Sequence, residues 1–360
     1  MFPNLKRLPT MNQQNIYQYQ STKNQSFQKR IEYIDALRGF CMILVVYAHL
    51  ALNSSVSDLF GNNIFLTFRM PLFFFLSGFL CFSRFTPYML NKLKKRFLGQ
   101  LLPTMIVGVL FVSLMAKGNF EDALFHKSKA GYWFTFVALE IYFIYAFITF
   151  IIDKLSTSLL FKAFIYVTLA VLSLPLSYWI GKSGFNNSDI SGLFSIVSVI
   201  SYTPFFLFGV IAKMYKDKFI NLIENKWIIS IVIVSFCALH IIGNVYNLNI
   251  KLIFYGIIGV TLIFLIFHNF RDYFSCNTTL GKALSYIGKR TLPIYLTHYF
   301  FLGGIAPAVT IPLIQNYAGW ITGFICYFIL ALLIIGICLI VEAVFRKAEP
   351  LYRICFGYPN

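Results

Sequence analysis

The sequence predicts an all-α, polytopic membrane protein of about ten transmembrane helices. Three observations carry that reading. Of the 360 residues, 58% are hydrophobic, 19% aromatic and only 12% charged, with mean hydropathy +0.73. A soluble domain is about one quarter charged. Apolar runs of about 17–25 residues, the length that crosses a hydrocarbon core, use up most of the chain. No stretch remains that is long enough for a separate soluble domain, so short loops join spans that satisfy their own backbone hydrogen bonds as helices.

The runs fall in order at 34–52, 63–83, 97–116, 131–152, 161–180, 193–212, 227–246, 251–268, 291–311 and 320–345. The first follows residues 1–30, a polar stretch rich in Gln and Asn with no apolar signal-peptide core, expected to be a flexible cytoplasmic tail. The first run carries Arg38 and His49, and the second carries Arg69, Pro71 and Ser77-Gly78. The third follows a basic segment at 84–96, and the fourth opens on Trp133-Phe134 with Glu140 near its centre. Runs five to eight hold few polar groups, with His240 and His268 near their ends. The ninth carries Tyr295-Leu296-Thr297-His298, and the tenth leads to a C-terminal tail at 349–360. One transmembrane domain, 31–348, accounts for the rest.

Charge placement gives an orientation. If the N-terminus is inside, 23 of the 30 Lys and Arg residues lie in inner segments and five in outer loops; the other two, Arg38 and Arg69, lie within helices. That bias favours both termini in the cytoplasm of a multi-pass inner-membrane protein. It also accounts for the net charge of +17 without nucleic acid, because the basic residues are spread over successive loops and form no single basic face. The seven cysteines make no CxxC and no Cys/His metal spacing, so they read as free thiols and no metal is expected.

Chemistry concentrates on the first two runs. Arg38 and His49 are eleven residues apart, and eleven helical steps of about 100° return to within about 20° of the start, so both share one helix face. They lie about 16 Å apart along the axis. Ionisable groups inside a membrane are costly and mark functional paths by default. On the second run stands Phe68-Arg69-Met70-Pro71-Leu72-Phe73-Phe74-Phe75-Leu76-Ser77-Gly78. Together with Trp133-Phe134 and Tyr295–His298, this chain resembles the acyltransferase-3 family of integral membrane acyltransferases over nearly its whole transmembrane length. The resemblance implies transfer of an acyl group, usually acetyl from cytoplasmic acetyl-CoA, to a hydroxyl of a surface or envelope glycan, free or lipid-linked. It also implies His49 as catalytic base and Arg38 as essential for donor handling. The acyl-CoA is a co-substrate, and no tightly bound cofactor is expected.

The residues agree with that chemistry. A neutral imidazole can take the proton of an attacking sugar hydroxyl near neutral pH. The phosphate-bearing head of the donor stays at the inner face, near Arg38 and the basic Lys92, Lys94, Lys95 and Arg96, with His298 lining its channel or serving as a structural histidine. Family members often have Arg-x-x-Arg before the third helix; here Gly99 follows Arg96, which shifts phosphate contact toward the lysines. Asp35, three residues before Arg38, either orients the guanidinium or caps the helix. Arg69 either acts on the acyl carbonyl, the sugar or a carboxylate, or it snorkels outward. Glu140 pairs with Arg69, orients an imidazole or forms a structural ion pair. Ser77 has no evident triad partner and reads as a packing or donor-contact residue. Helix counting puts His49, Arg69 and Glu140 at similar depth, so all three are expected to line one cavity.

A proton-coupled transporter of a lipid-linked sugar also fits intramembrane Arg, His and Glu, but paired repeats and matching broken helices are not evident. A structural subunit with a vestigial site fits poorly with intact Arg38 and His49.

The orientation is open to direct measurement. Cysteines introduced at Ser57 and Lys218 are expected to react oppositely with an impermeant thiol reagent in intact cells, Ser57→Cys from outside and Lys218→Cys only after permeabilisation. Labelling of Lys218→Cys from outside would reverse the topology.

Overall fold

A computed structural model describes residues 32–53, 62–82, 91, 93–116, 118–155, 158–246, 251–302 and 320–357. Among these residues every regular element is helical. The long helices are α1 (Glu32–Asn53), α2 (Asn62–Cys81), α3 (Leu93–Met115), α4 (Trp133–Leu155), α5 (Leu159–Lys182), α6 (Ile196–Met214), α7 (Lys226–Tyr246), α8 (Lys251–Asn269) and α11 (Trp320–Arg346). Between α8 and α11 come α9 (Thr279–Lys289) and α10 (residues 291–302), and α12 (Glu349–Phe356) follows α11. The polar tail 1–30, Lys92 and the loop around Ser57 lie outside the described residues.

Among the described residues, seven helices are long and apolar enough to cross a membrane: α1 to α5, the 189–214 segment that contains α6, and α11. An eighth span results if Lys216–Glu224 and α7, bent by 76° against each other, cross together. The eighth apolar run of the sequence yields a shorter apolar helix, Ile253–Asn269, and the ninth is described only to residue 302. Large apolar side chains face outward along the spans, including Leu160, Phe164 and Trp179 on α5 and Leu333 and Ile340 on α11. Such a continuous apolar exterior is what a bilayer covers.

The core has two parts, and α2 joins them. Consecutive helical residues diverge by about 100°, so the run Phe73-Phe74-Phe75 cannot serve one side. Phe75 and Phe79 pack with Phe264 of α8 and with α1, while Phe74 packs against α4 and stacks on Tyr202 of α6 at 4.5 Å. The Ser77-Gly78 step lets α6 in: a Cβ on Gly78 would fall 1.9 Å from the Phe206 carbonyl oxygen.

The most buried helix is α1, with Ala36, Leu37, Cys41, Val46, Tyr47, Ala48 and Leu50 fully enclosed. It crosses α9, which the sequence reading had placed in an inner loop. The spacing Gly281, Leu284, Ser285, Gly288 puts the small and apolar residues of α9 on one buried face, and Thr278 caps the helix by accepting from Gly281 N–H at 2.9 Å. At the crossing the two backbones touch. A Cβ on Gly39 would meet the Leu284 carbonyl oxygen at 2.0 Å, and one on Gly288 would meet the Asp35 carbonyl oxygen at 1.8 Å. The C-terminal segment is also helical: α12 buries Tyr352, Cys355 and Phe356 and packs against α3.

Gly39→Leu is therefore expected to prevent assembly or lower the detergent-solubilised Tm sharply, because rotamer change cannot relieve a backbone clash and overpacking typically costs about 1–3 kcal/mol or more. Gly336→Leu on α11, where a Cβ meets open space, is the control and should leave Tm near that of the parent. Equal stability of the two variants would contradict the crossing.

Candidate active site

One end of the site lies on the first turns of α1. Arg38 donates from Nη2 to Thr291 Oγ1 at 3.0 Å and pairs with Asp35 at 3.7 Å. Asp35 thus lies within the helix and faces the guanidinium, the first of the two roles open to it. Thr291 is the first residue of α10, and its neighbour Arg290 reaches the fully buried Glu342 of α11 at 3.3 Å. Glu342 also accepts from Arg346 and, at 3.1 Å, from the Tyr352 hydroxyl. A buried carboxylate needs such partners, and this cluster ties α10, α11 and α12 together beside Arg38.

Eleven residues along α1, half-buried His49 meets α10 again. Its Nε2 lies 3.1 Å from the Tyr299 hydroxyl, and its ring centroid lies 5.0 Å from that of Tyr299 and 5.3 Å from that of His298. So α1 and α10 run side by side in the same direction, touching at Arg38–Thr291 and at His49–Tyr299. His298, expected nearer the inner side, stands beside His49 because α10 runs along α1 from the Arg38–Thr291 contact. It is fully buried, with Nδ1 3.1 Å from the Ile294 carbonyl oxygen.

A strained turn closes the other end. Lys129, Ala130 and Gly131 all take positive φ, at 46°, 52° and 98°. Two of the three are not glycine, and such conformations persist only where surroundings impose them. The restraint is visible: the Lys129 ammonium donates to the carbonyls of Leu124, Gly192 and Leu193 at 2.8–2.9 Å. Burial pushes the Lys129 ammonium down and the Glu140 carboxylate acts against that. The turn presents the Gly131 carbonyl to α10, where Tyr295 and Tyr299, one helical turn apart, each donate to it at 3.2 Å. A Cβ on Gly131 would lie 2.3 Å from the Tyr299 ring. The Tyr299 hydroxyl thus stands between the Gly131 carbonyl oxygen and His49 Nε2 and positions the imidazole from α10.

Arg69 on α2 joins this group. It is buried, not snorkelled outward, and lies within electrostatic reach of His49, Tyr299 and Tyr202. Glu140 does not join. Its electrostatic partner is Lys129, not Arg69, so it stands apart from the His49–Arg69 pair. The reason is helical phase: Glu140 shares a face of α4 with Trp133, and the next residue, Phe134, packs toward Tyr295. Ser77 is half-buried beside the α2–α6 crossing. Lys94 and Lys95 are exposed, and Arg96 lies 4.8 Å over the Tyr142 ring.

The family model of the acyltransferase-3 acyltransferase domain matches residues 31–340. The chain belongs to that family. Membership sets aside the transporter reading and makes the protein a membrane acyltransferase. No curated protein and no solved structure gives a significant match. Sequence reasoning missed Thr291, Tyr299 and Gly131 in this acyltransferase. Tyr299 directly follows the Tyr295–His298 segment and recurs at the i+4 spacing from Tyr295, a signal that was present. Gly131 stands immediately before the Tyr132–Phe134 aromatic run, but nothing in sequence said that its carbonyl is the shared acceptor.

Tyr299→Phe is expected to lower acyl transfer about tenfold, the order of one net hydrogen bond, with Tm close to that of the parent. Full activity in this variant would mean that Tyr299 does not position the His49 imidazole.

Proposed function

We propose that the protein transfers an acyl group, most simply acetyl, from cytoplasmic acyl-CoA to a hydroxyl of a surface or envelope glycan on the outer side of the inner membrane. The observation that carries this reading is the buried α1 face, with a paired arginine at its inner end and a hydrogen-bonded histidine about 16 Å further along. An extended pantetheine-like arm has comparable reach. The phosphates of the donor stay in water at the inner surface, where Arg38 and the exposed Lys94 and Lys95 attract them. The acyl carbonyl then lies beside His49.

In the transfer, the sugar oxygen attacks the thioester carbon as the His49 imidazole removes its proton. The C–O bond forms, the C–S bond breaks, and the CoA thiolate recovers the proton from the imidazolium. Buried Arg69 offers positive charge where the oxyanion develops, an interaction worth most when water is excluded. Both termini lie in the cytoplasm in this arrangement, in keeping with the inner bias of basic residues.

His49→Ala is expected to reduce glycan acylation by about 10²- to 10⁴-fold with normal expression, the usual loss on removing a general base. Mass spectrometry of surface glycans from cells carrying the parent, the variant or neither gene reads this directly. Parent-level acylation in His49→Ala cells would overturn the assignment.

A further inference from the structure

A polar cavity of about 200 Å³ opens between the last turn of α9 and the last turn of α11. Tyr286, Arg290, Glu342, Ala343, Arg346 and Lys347 line it. Its one carboxylate is already engaged. Glu342 Oε2 accepts from Arg290 Nε at 3.3 Å, and Oε1 accepts from Arg346 and, at 3.1 Å, from the Tyr352 hydroxyl. The next carboxylate along the chain, Glu349, pairs with Arg353. Three cations against one carboxylate leave the cavity with a net charge of +2. Among the described residues, Arg290 Nη2, Arg346 Nη1 and the Lys347 ammonium have no hydrogen-bond partner.

These cations are held and reachable. The Arg290 guanidinium lies 3.7 Å over the Tyr286 ring, and its Nη1 donates to the Tyr286 carbonyl at 3.4 Å. Its side chain is still 17% exposed, and that of Arg346 is 48% exposed. Ala343, one turn before Lys347, puts only a methyl group on the cavity wall. Helical phase sets what lies beside it. Leu333, Ile340 and Val344 form an exposed apolar stripe along α11. Lys347 follows Ile340 by seven residues, about two turns, and so continues that stripe at its polar end.

We propose that this cavity binds the phosphate of an anionic phospholipid whose acyl chains run along the α11 stripe. Basic pockets between transmembrane helices suit such head groups. A restrained guanidinium gives a phosphate paired donors, and a lysine adds a point charge. The cavity is smaller than the usual range for small-molecule pockets, about 300–1,000 Å³, so it takes a head group and not a whole nucleotide. A zwitterionic head group would bring its own cation to a cavity already positive, which sets the preference for an anionic lipid. Arg290 directly precedes the Thr291 that bonds Arg38. A phosphate shared by Arg290 and Lys347 thus clamps the start of α10 to the end of α11 beside the site.

The test is native mass spectrometry of the full chain in neutral detergent, titrated with phosphatidylglycerol or phosphatidylcholine. One phosphatidylglycerol is expected to bind at concentrations where phosphatidylcholine does not. Lys347→Glu should weaken it by about ten- to hundredfold, the order of a hydrogen bond to a charged group. Lys347→Gln, which adds no repulsive charge, should show a smaller loss in the same direction. Lys282→Glu makes the same charge change at an exposed position of α9 that does not line the cavity, and should stay within about twofold of the parent. Equal binding by the parent and Lys347→Glu, an equal loss in Lys282→Glu, or no preference over phosphatidylcholine would overturn the site. Displacement of the lipid by coenzyme A would assign the cavity to a soluble phosphate and overturn the lipid as its occupant.

Discussion

At the Arg38 end of the site, α1 and α9 meet backbone to backbone, with Gly39 and Gly288 leaving no side chain between them. Close approach of this kind is how helices associate where lipid offers no hydrophobic drive. Its consequence is positional. Because α9 is pinned against α1 and a single residue separates it from α10, α10 starts beside Arg38 and runs along α1. Thr291, His298 and Tyr299 then fall opposite Arg38 and His49 without further adjustment. Any residue larger than glycine at the crossing would push α10 away and separate both pairs.

The His49 end depends on a different device. The Lys129–Gly131 turn is strained, and the strain is held by a buried ammonium with three carbonyl partners and by Glu140 nearby. What the turn delivers is one carbonyl to two tyrosines. That contact fixes Tyr299, and Tyr299 fixes the imidazole. Glu140 thus acts on the site from outside it, by stabilising the charge that holds the turn.

Much of this was legible in the chain. Hydropathy gave helices and the membrane, because span length and composition are properties of local sequence. The eleven-residue Arg38–His49 spacing placed both on one face, because helical phase is also local. The Ser77-Gly78 step is a local signal of small residues, and the structure uses it for close approach of α6. What lay beyond reach depends on which helices become neighbours. Arg69 could snorkel or turn inward, and only the packing of α2 against α6 and α8 decides. Glu140 turns to Lys129 and not to Arg69, since an axial count gives height and not direction. The number of spans is harder still: the bend before α7 and the short α8 are not visible in an apolar run.

The central claim is that one acyl group passes through the protein from a donor on the basic face to an acceptor on the other. The most direct measurement uses sealed proteoliposomes of the full chain. Radiolabelled acetyl-CoA is confined to the side of Lys94 and Lys95, and glycan extracted from the source envelope is supplied on the opposite side only. The account predicts label on the glycan across an intact bilayer, lost in His49→Ala. Transfer only when donor and acceptor share one side would contradict it.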